Sequence, residues 1–251
     1  MSELYEALAP FYAEFNGDVA YERMARYVHK CFSSYFDGEV TDVLDLGCGS
    51  GNMTFPLLHL GYSMIGVDAS ENMLAAARDA KRGEEVLWLC QDMRSFELYG
   101  TVEGAVSTLD CVNHLLNRKD VLSCFSLVHN YLVPGGIFVF DVNSPYKFKE
   151  IYGENSYVLE NENAFCVWQN FFDSQKGRCH FAVDLFEKTE GELYRRQSAD
   201  REEQMYSERQ IRTMLAQTGF TVLSVTDDYT DDPPSATTER LTFVARANKE
   251  M

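Results

Sequence analysis

The sequence is short of several things, and each shortage removes a class of function. No apolar run approaches the roughly 20 residues that a membrane-crossing helix needs, so no such helix is expected. Seven cysteines and five histidines are scattered along the chain, with no Cys-x-x-Cys and no His-x-x-x-His pair. That spacing argues against a zinc site and a disulfide framework, and it predicts free thiols in a reducing compartment. Basic residues are scarce: 22 Lys and Arg stand against 39 Asp and Glu, a net charge of -17. Such a balance repels phosphate backbones, so nucleic acid is not an expected partner. The first residues, Met1-Ser2-Glu3-Leu4-Tyr5-Glu6, have neither the basic start nor the apolar run of a signal peptide. A cytoplasmic protein is expected.

What is present is an ordinary globular composition, 45% hydrophobic and 24% charged over 251 residues. The chain is long enough to bury a core as a single domain, 1–251. Residues 3 to 36 read as a helical cap, with a kink at Pro10 and a clean apolar stripe of Met24, Val28, Cys31, Phe32 and Tyr35. Strands and helices then alternate. Strands are expected at 40–46, 62–67, 85–90, 103–109 and 137–141, and helices at 52–60, 71–81 and 119–132. Ser70 is a candidate N-cap, and Pro134-Gly135-Gly136 is the expected stop of the third helix. This rhythm predicts an α/β fold, a doubly wound and mostly parallel sheet.

From 142 to 206 the rhythm changes to antiparallel strands at 165–172, 178–186 and 193–198, joined by turns at 173–177 and 188–191. Ser207 with Gln210 reads as a capping box for a helix at 208–217, ended by Gly219. Strands at 220–226 and 240–246 close the chain, with a polar loop through Asp231-Asp232-Pro233-Pro234.

The stretch with most chemical content is Asp45-Leu46-Gly47-Cys48-Gly49-Ser50-Gly51-Asn52, at the first strand-to-helix turn. Glycines there let a ligand lie against bare backbone. Asp68 ends the second strand, 21 positions after Gly47 and close to the ~20 expected for a carboxylate that holds ribose hydroxyls. A dinucleotide loop wants Gly-x-Gly-x-x-Gly, but Asn52 stands where its last glycine belongs. An NAD-dependent oxidoreductase remains the alternative reading on the loop alone.

The pattern Asp45-x-Gly47-x-Gly49-x-Gly51 resembles the first motif of the class I S-adenosylmethionine-dependent methyltransferases. Gly66-Val67-Asp68 is similar to that family's second motif, Gln91-Asp92-Met93 to its adenine-contacting motif, and Leu132-Val133-Pro134-Gly135-Gly136 to the segment before strand five. These cover residues 40 to 141 in the family's order and spacing. The remainder resembles a group of small bacterial methyltransferases with no agreed substrate. The resemblance implies a seven-stranded Rossmann-like sheet ending in an antiparallel strand, with 142–206 inserted as an antiparallel β lid. It implies S-adenosylmethionine as cofactor and methyl transfer as the activity, with a non-catalytic cofactor-binding protein as a further alternative.

Carried over by residue, the resemblance assigns Gly47, Cys48 and Gly49 to the methionine moiety, with Asp45 helping to hold its amino group. Asp68 takes both ribose hydroxyls, and Asp92 with the Met93 amide takes the adenine edge. Ala69 and Met73 line the adenine face, Leu109 lies under the sulfonium, and Tyr12 closes over it. The acceptor is expected at the end of strand four, in Ser107 to His114. His114 is the residue there most suited to be a base near neutral pH, although a histidine at a helix start is also a common structural element. The Asn-Pro-Pro-Tyr motif carried here by some nitrogen methyltransferases is absent, which disfavours DNA-amine and glutamine-amide acceptors. The expected partner is a small-molecule acceptor, with no membrane and no metal, and a homodimer is left open. The insert's aromatics read as a small second core or a dimer surface. Arg195, Arg196, Arg201, Arg209 and Arg212 could hold an anionic acceptor, but the acids interspersed with them favour a solvated charged face.

Overall fold

Five largely apolar segments line up side by side in the computed structural model, which describes residues 19–80, 85–191 and 193–249. They are β1 (Asp42–Leu46), β2 (Ser63–Asp68), β3 (Val86–Cys90), β4 (Val102–Ser107) and β5 (Leu132–Asn143). The sheet is completed by β10 (Phe220–Asp227) and β11 (Arg240–Ala247), giving the order β10-β11-β5-β4-β1-β2-β3. The first five strands are parallel, whereas β11 runs antiparallel between β5 and β10. The most central strands are apolar on both faces because helices cover both faces. Val43, Leu44 and Leu46 of β1, and Ile137 to Phe140 of β5, are completely buried.

One face is covered by α1 (Tyr21–Tyr35) and α2 (Thr54–His59). Met24, Val28, Cys31 and Phe32 recur at helical spacing, so α1 seats one stripe on the sheet. The other face carries α4 (Arg118–Tyr131) and α5 (Glu208–Gln217), whose Val121, Phe125, Ile211 and Leu215 join the largest core. The Ser207–Gln210 capping box forms as read, with both reciprocal bonds present. Ser70 likewise accepts from the Met73 amide at the start of α3 (Glu71–Ala80).

Three differences from the sequence reading have local causes. The helix after the glycine loop begins at Thr54, not 52, because Gly51 holds a left-handed φ of +83°. Strand four ends at Ser107, not 109, because Leu109 and Asp110 both take left-handed backbone. Pro134-Gly135-Gly136 does not stop a helix: α4 ends at Tyr131, and those three residues belong to β5, where the register with β4 shifts. Tyr12 and the first part of the expected helical cap lie outside the described residues.

The insert forms a second sheet, β6-β7-β8-β9, from Ser156–Glu160, Ala164–Asp173, Arg178–Lys188 and Tyr194–Gln204. Strand β6 was not foreseen, and β9 runs six residues past the expected end at 198. The insert's aromatics are split between faces. Phe181 is fully buried against Phe148 and Cys179, while Phe171 is half exposed. The β9 end of this sheet rests on the β4 end of the first through the short helical turn Cys111–His114, where Asn113 Nδ2 donates to the Gln204 carbonyl.

Candidate active site

A cavity of about 640 Å³ opens where the carboxyl ends of β1, β2 and β4 meet the lid. This is the position at which a doubly wound sheet holds its ligand. Gly47, Cys48, Gly49, Asp68, Ala69, Met73, Asp92, Met93, Leu109 and His114 all line it. Ten of the residues singled out in the sequence thus converge on one wall-to-wall space. Asp45 does not line it: the side chain is fully buried behind the loop and accepts from Thr54 Oγ1 at 2.6 Å. Its other oxygen has no hydrogen-bond partner, and burial pushes its pKa up to about 7.

The loop's own hydrogen bonds decide what it can hold. The amides of Gly47 and Cys48 donate to the Val67 carbonyl, that of Gly51 to the Cys48 carbonyl, and that of Gly49 to Asp68 at 2.9 Å. A phosphate cradle needs backbone N–H groups aimed at the ligand. Here these four are already committed to the protein, which suits a ligand without phosphate. Gly47 is fixed by contact as well as by its φ of +80°: a Cβ there would stand 2.5 Å from Cys111 Sγ.

Asp68 is built as a double acceptor. One carboxylate oxygen takes the Gly49 amide and the other takes the Ser70 amide, at 2.9 and 2.8 Å. An ionised carboxylate has about four lone-pair positions, so each oxygen keeps capacity for one more donor. Burial raises its pKa, and the backbone bonds oppose that rise. Asp92 at the far wall is held by Arg94, whose guanidinium approaches to 2.5 Å, and this lowers the Asp92 pKa. Between them these two acids fit a nucleoside: two hydroxyls at one and an exocyclic amine at the other.

Several wall residues were not singled out as cavity-lining in the sequence. Tyr21, whose phenol hydrogen-bonds with Asn52, covers the loop from α1. Cys111 lines the floor, with its thiol donating to the Thr108 carbonyl at 3.0 Å, and burial drives its pKa well above the ordinary thiol value. From the lid come His180, Asp200, Arg201 and Glu202. Arg201 corrects the solvated-face reading: its side chain is 8% exposed, lies over the rings of Trp168 and Phe181, and meets the fully buried Glu203 at 2.9 Å. Alternation along β9 places those two inside and their neighbours outside, a pattern that a run of mixed charge conceals.

His114 stands between the two halves, its Nε2 4.0 Å from Asp110. Burial, reinforced by the Arg201 charge and opposed by Asp110, pushes its pKa down to about 4. Its folded value thus lies below the unfolded value of about 6.5. Stability from this group is complete above pH 6.5 and is lost as pH falls toward 4, amounting to about 3 kcal/mol. An NMR titration is expected to show the His114 ring protons shifting only near pH 4; a midpoint near 6.5 would show that the ring is solvated.

Comparison with known proteins agrees with this geometry. Residues 43–136 match the family described as "Methyltransferase domain". Over 250 residues the chain is 30% identical to the methyltransferase-family protein YqeM of Bacillus subtilis (strain 168), covering 99% of both chains. It is similar to the solved structure of an S-adenosylmethionine-dependent methyltransferase from Clostridium acetobutylicum, at 28% identity and a TM-score of 0.87, covering 98% of this chain and 100% of that one. CalS10, an amino pentose methyltransferase from Micromonospora echinaspora solved with its cofactor bound, shares the fold at 18% identity and a TM-score of 0.75, over 95% and 96% of the two chains. Among the described residues no helix is long and apolar enough to cross a membrane. The chain belongs to the S-adenosylmethionine-dependent methyltransferases.

Proposed function

We propose that the protein methylates a small molecule that binds between the β4 end and the lid, with the cofactor on the glycine-loop side of the same cavity. The observation that carries this reading is the continuity of the space: one cavity runs from Asp92 and Asp68 past Leu109 to His114 and Arg201. Its volume falls within the roughly 300–1,000 Å³ of small-molecule sites. The whole chain is read as one methyltransferase domain, with β6 to β9 as its lid. The net charge of -17 disfavours nucleic acid as acceptor and agrees with a cytoplasmic small-molecule enzyme.

In this reading Asp68 accepts from the two ribose hydroxyls and Asp92 from the adenine amine, with the Met93 amide beside it. Ala69 and Met73 give the adenine an apolar wall. Gly47, Cys48 and Gly49 offer bare backbone to the methionine moiety, and Asp45 sets negative charge behind them. When bound, S-adenosylmethionine supplies a methyl group already activated on a sulfonium sulfur. The protein's part is therefore orientation and exclusion of water. Leu109 and Cys111 form the floor, and Tyr21 covers the loop from α1. His114, neutral across the working pH range, accepts a proton or a hydrogen bond from the acceptor.

The test combines calorimetric binding of S-adenosylmethionine with transfer of a labelled methyl group into a cell extract separated by size. Micromolar binding with label in the small-molecule fraction is expected. Label confined to protein or nucleic acid would refute the small-molecule reading.

A further inference from the structure

The acceptor half of the cavity has a charge pattern that selects among nucleophiles. Among the described lining residues the two arginines are both engaged by carboxylates: Arg94 by Asp92 at 2.5 Å, and Arg201 by Glu203 at 2.9 Å. An anionic acceptor would have to compete with the fully buried Glu203 for Arg201 and with the partly exposed Asp92 for Arg94. The lid rim at the same opening carries Asp200 and Glu202. Resting on the methyltransferase reading above, we propose that the acceptor presents an aliphatic amino nitrogen to this half of the cavity, with His114 receiving its N–H.

His114 suits that role and not the activation of a hydroxyl. It lines the cavity as a neutral ring and is a weak base, its pKa pushed down to about 4 by burial and by Arg201. Such a base is poorly matched to stripping a proton from an alcohol or a phenol. An aliphatic amine needs no stripping. Its free base already offers a lone pair, undiminished by a ring or a carbonyl, and only its direction has to be fixed. That also fits the absence of Asn-Pro-Pro-Tyr, which the sequence resemblance links to amide and DNA-amine acceptors.

Ligand-type atoms of Asp110, His114 and Glu203 lie within 4.8 Å of one another. That spacing would also admit a divalent cation, but Arg240 at 3.5 Å from Asp110 and Arg201 on Glu203 already supply the positive charge. The cluster instead sets carboxylates beside the neutral His114 ring, where they tolerate a transient positive charge on the acceptor nitrogen. In the transfer, the nitrogen lone pair forms the N–C bond as the S–C bond of the sulfonium donor breaks, its electron pair remaining on sulfur as a neutral thioether. The nitrogen, now cationic, keeps its hydrogen-bonded orientation through the transfer and gives up its proton to solvent at the cavity mouth.

The experiment uses S-adenosylmethionine labelled with carbon-13 in the methyl group. The full chain is incubated with the small-molecule fraction of a bacterial extract, and in parallel with a panel of aliphatic amines, amino sugars, phenols and carboxylic acids. The labelled carbon is expected at the NMR shift of an N-methyl group, with kcat/KM rising with pH until the amine is fully free base. His114→Gln is expected to lower kcat roughly tenfold, by displacing the acceptor that orients the amine, while donor affinity, measured by calorimetry, stays within twofold. A label on oxygen, sulfur or carbon would overturn the amine assignment and leave the small-molecule reading intact. Donor binding with no transfer to any small molecule would overturn both. Native kcat in His114→Gln would remove His114 from the reaction.

Discussion

Replacing Asp141 with alanine is expected to lower stability by about 3–5 kcal/mol, the cost of leaving a buried charge without its partner. Asp141 is fully buried near the end of β5 and accepts four donors on two oxygens. One oxygen takes the Leu109 amide at 2.7 Å and the Tyr229 hydroxyl. The other takes the Asp110 amide at 2.7 Å and the Arg240 guanidinium at 2.5 Å. The amides belong to two consecutive non-glycine residues with φ of +57° and +59°. Each such residue costs about 1–3 kcal/mol and persists only where its surroundings hold it. Asp141 supplies that hold, through the same turn that places Leu109 on the cavity floor. Urea denaturation of Asp141→Ala should therefore show a large fall in midpoint at unchanged slope. Adding Arg240→Met should recover part of the loss, because it removes a buried guanidinium left with only its longer, 3.5 Å contacts to Asp110 and Asp228. A double variant no more stable than Asp141→Ala would show that the guanidinium is not what the alanine leaves exposed. Hydrogen exchange gives a separate check: amides 109 and 110 should exchange faster in Asp141→Asn while those of the central strands stay protected.

The same turn marks the border of what the sequence reveals. Strand-to-helix alternation and the carboxylate closing β2 are local patterns, so Asp68 was legible from spacing, and Asp92 from the family resemblance. Both line the cavity. Interactions between distant segments left no such trace. Asp141 and Arg240 are 99 positions apart and meet only because β11 pairs antiparallel with β5, setting Thr242 opposite Asp141 and Arg240 opposite Asn143. Strand β4 was read two residues too long because Leu109 is apolar, and nothing in its identity announces a left-handed backbone. In the lid, Tyr194–Gln204 is polar apart from Tyr194 and Ala199, with no apolar alternation to reveal which side is inward. The inward side is set by pairing with β8, whose Cys179, Phe181, Val183 and Leu185 alternate cleanly and carry Glu203 and Arg201 inward with them. The signal was on the partner strand. Tyr21 was hidden for a related reason, since its place over the loop depends on how α1 crosses the sheet and not on its own helical stripe.

Asp68→Ala is expected to weaken S-adenosylmethionine binding by about 1–3 kcal/mol, roughly 5- to 150-fold, through loss of charge-assisted bonds to hydroxyl donors. Two effects are folded into that number and can be separated. Asp68 accepts the Gly49 and Ser70 amides, so alanine also strips two backbone donors of their partner and loosens the glycine loop. Asp68→Asn retains one carbonyl oxygen for the loop but loses the charge and half of the acceptor capacity. If ribose recognition dominates, asparagine should lose nearly as much affinity as alanine, with little change in thermal midpoint. If loop support dominates, asparagine should bind almost normally and alanine should fail in both measurements. Acidity supplies a further handle. Burial raises the Asp68 pKa, and donors from a bound ribose would favour the ionised form and lower it again. Binding should then release protons as the pH approaches the carboxylate range, and affinity should fall on acidification in the native protein but not in Asp68→Asn. Calorimetry in buffers of different ionisation enthalpy measures that release directly. Equal affinity and equal pH dependence in native protein and Asp68→Asn would place the ribose somewhere other than the end of β2.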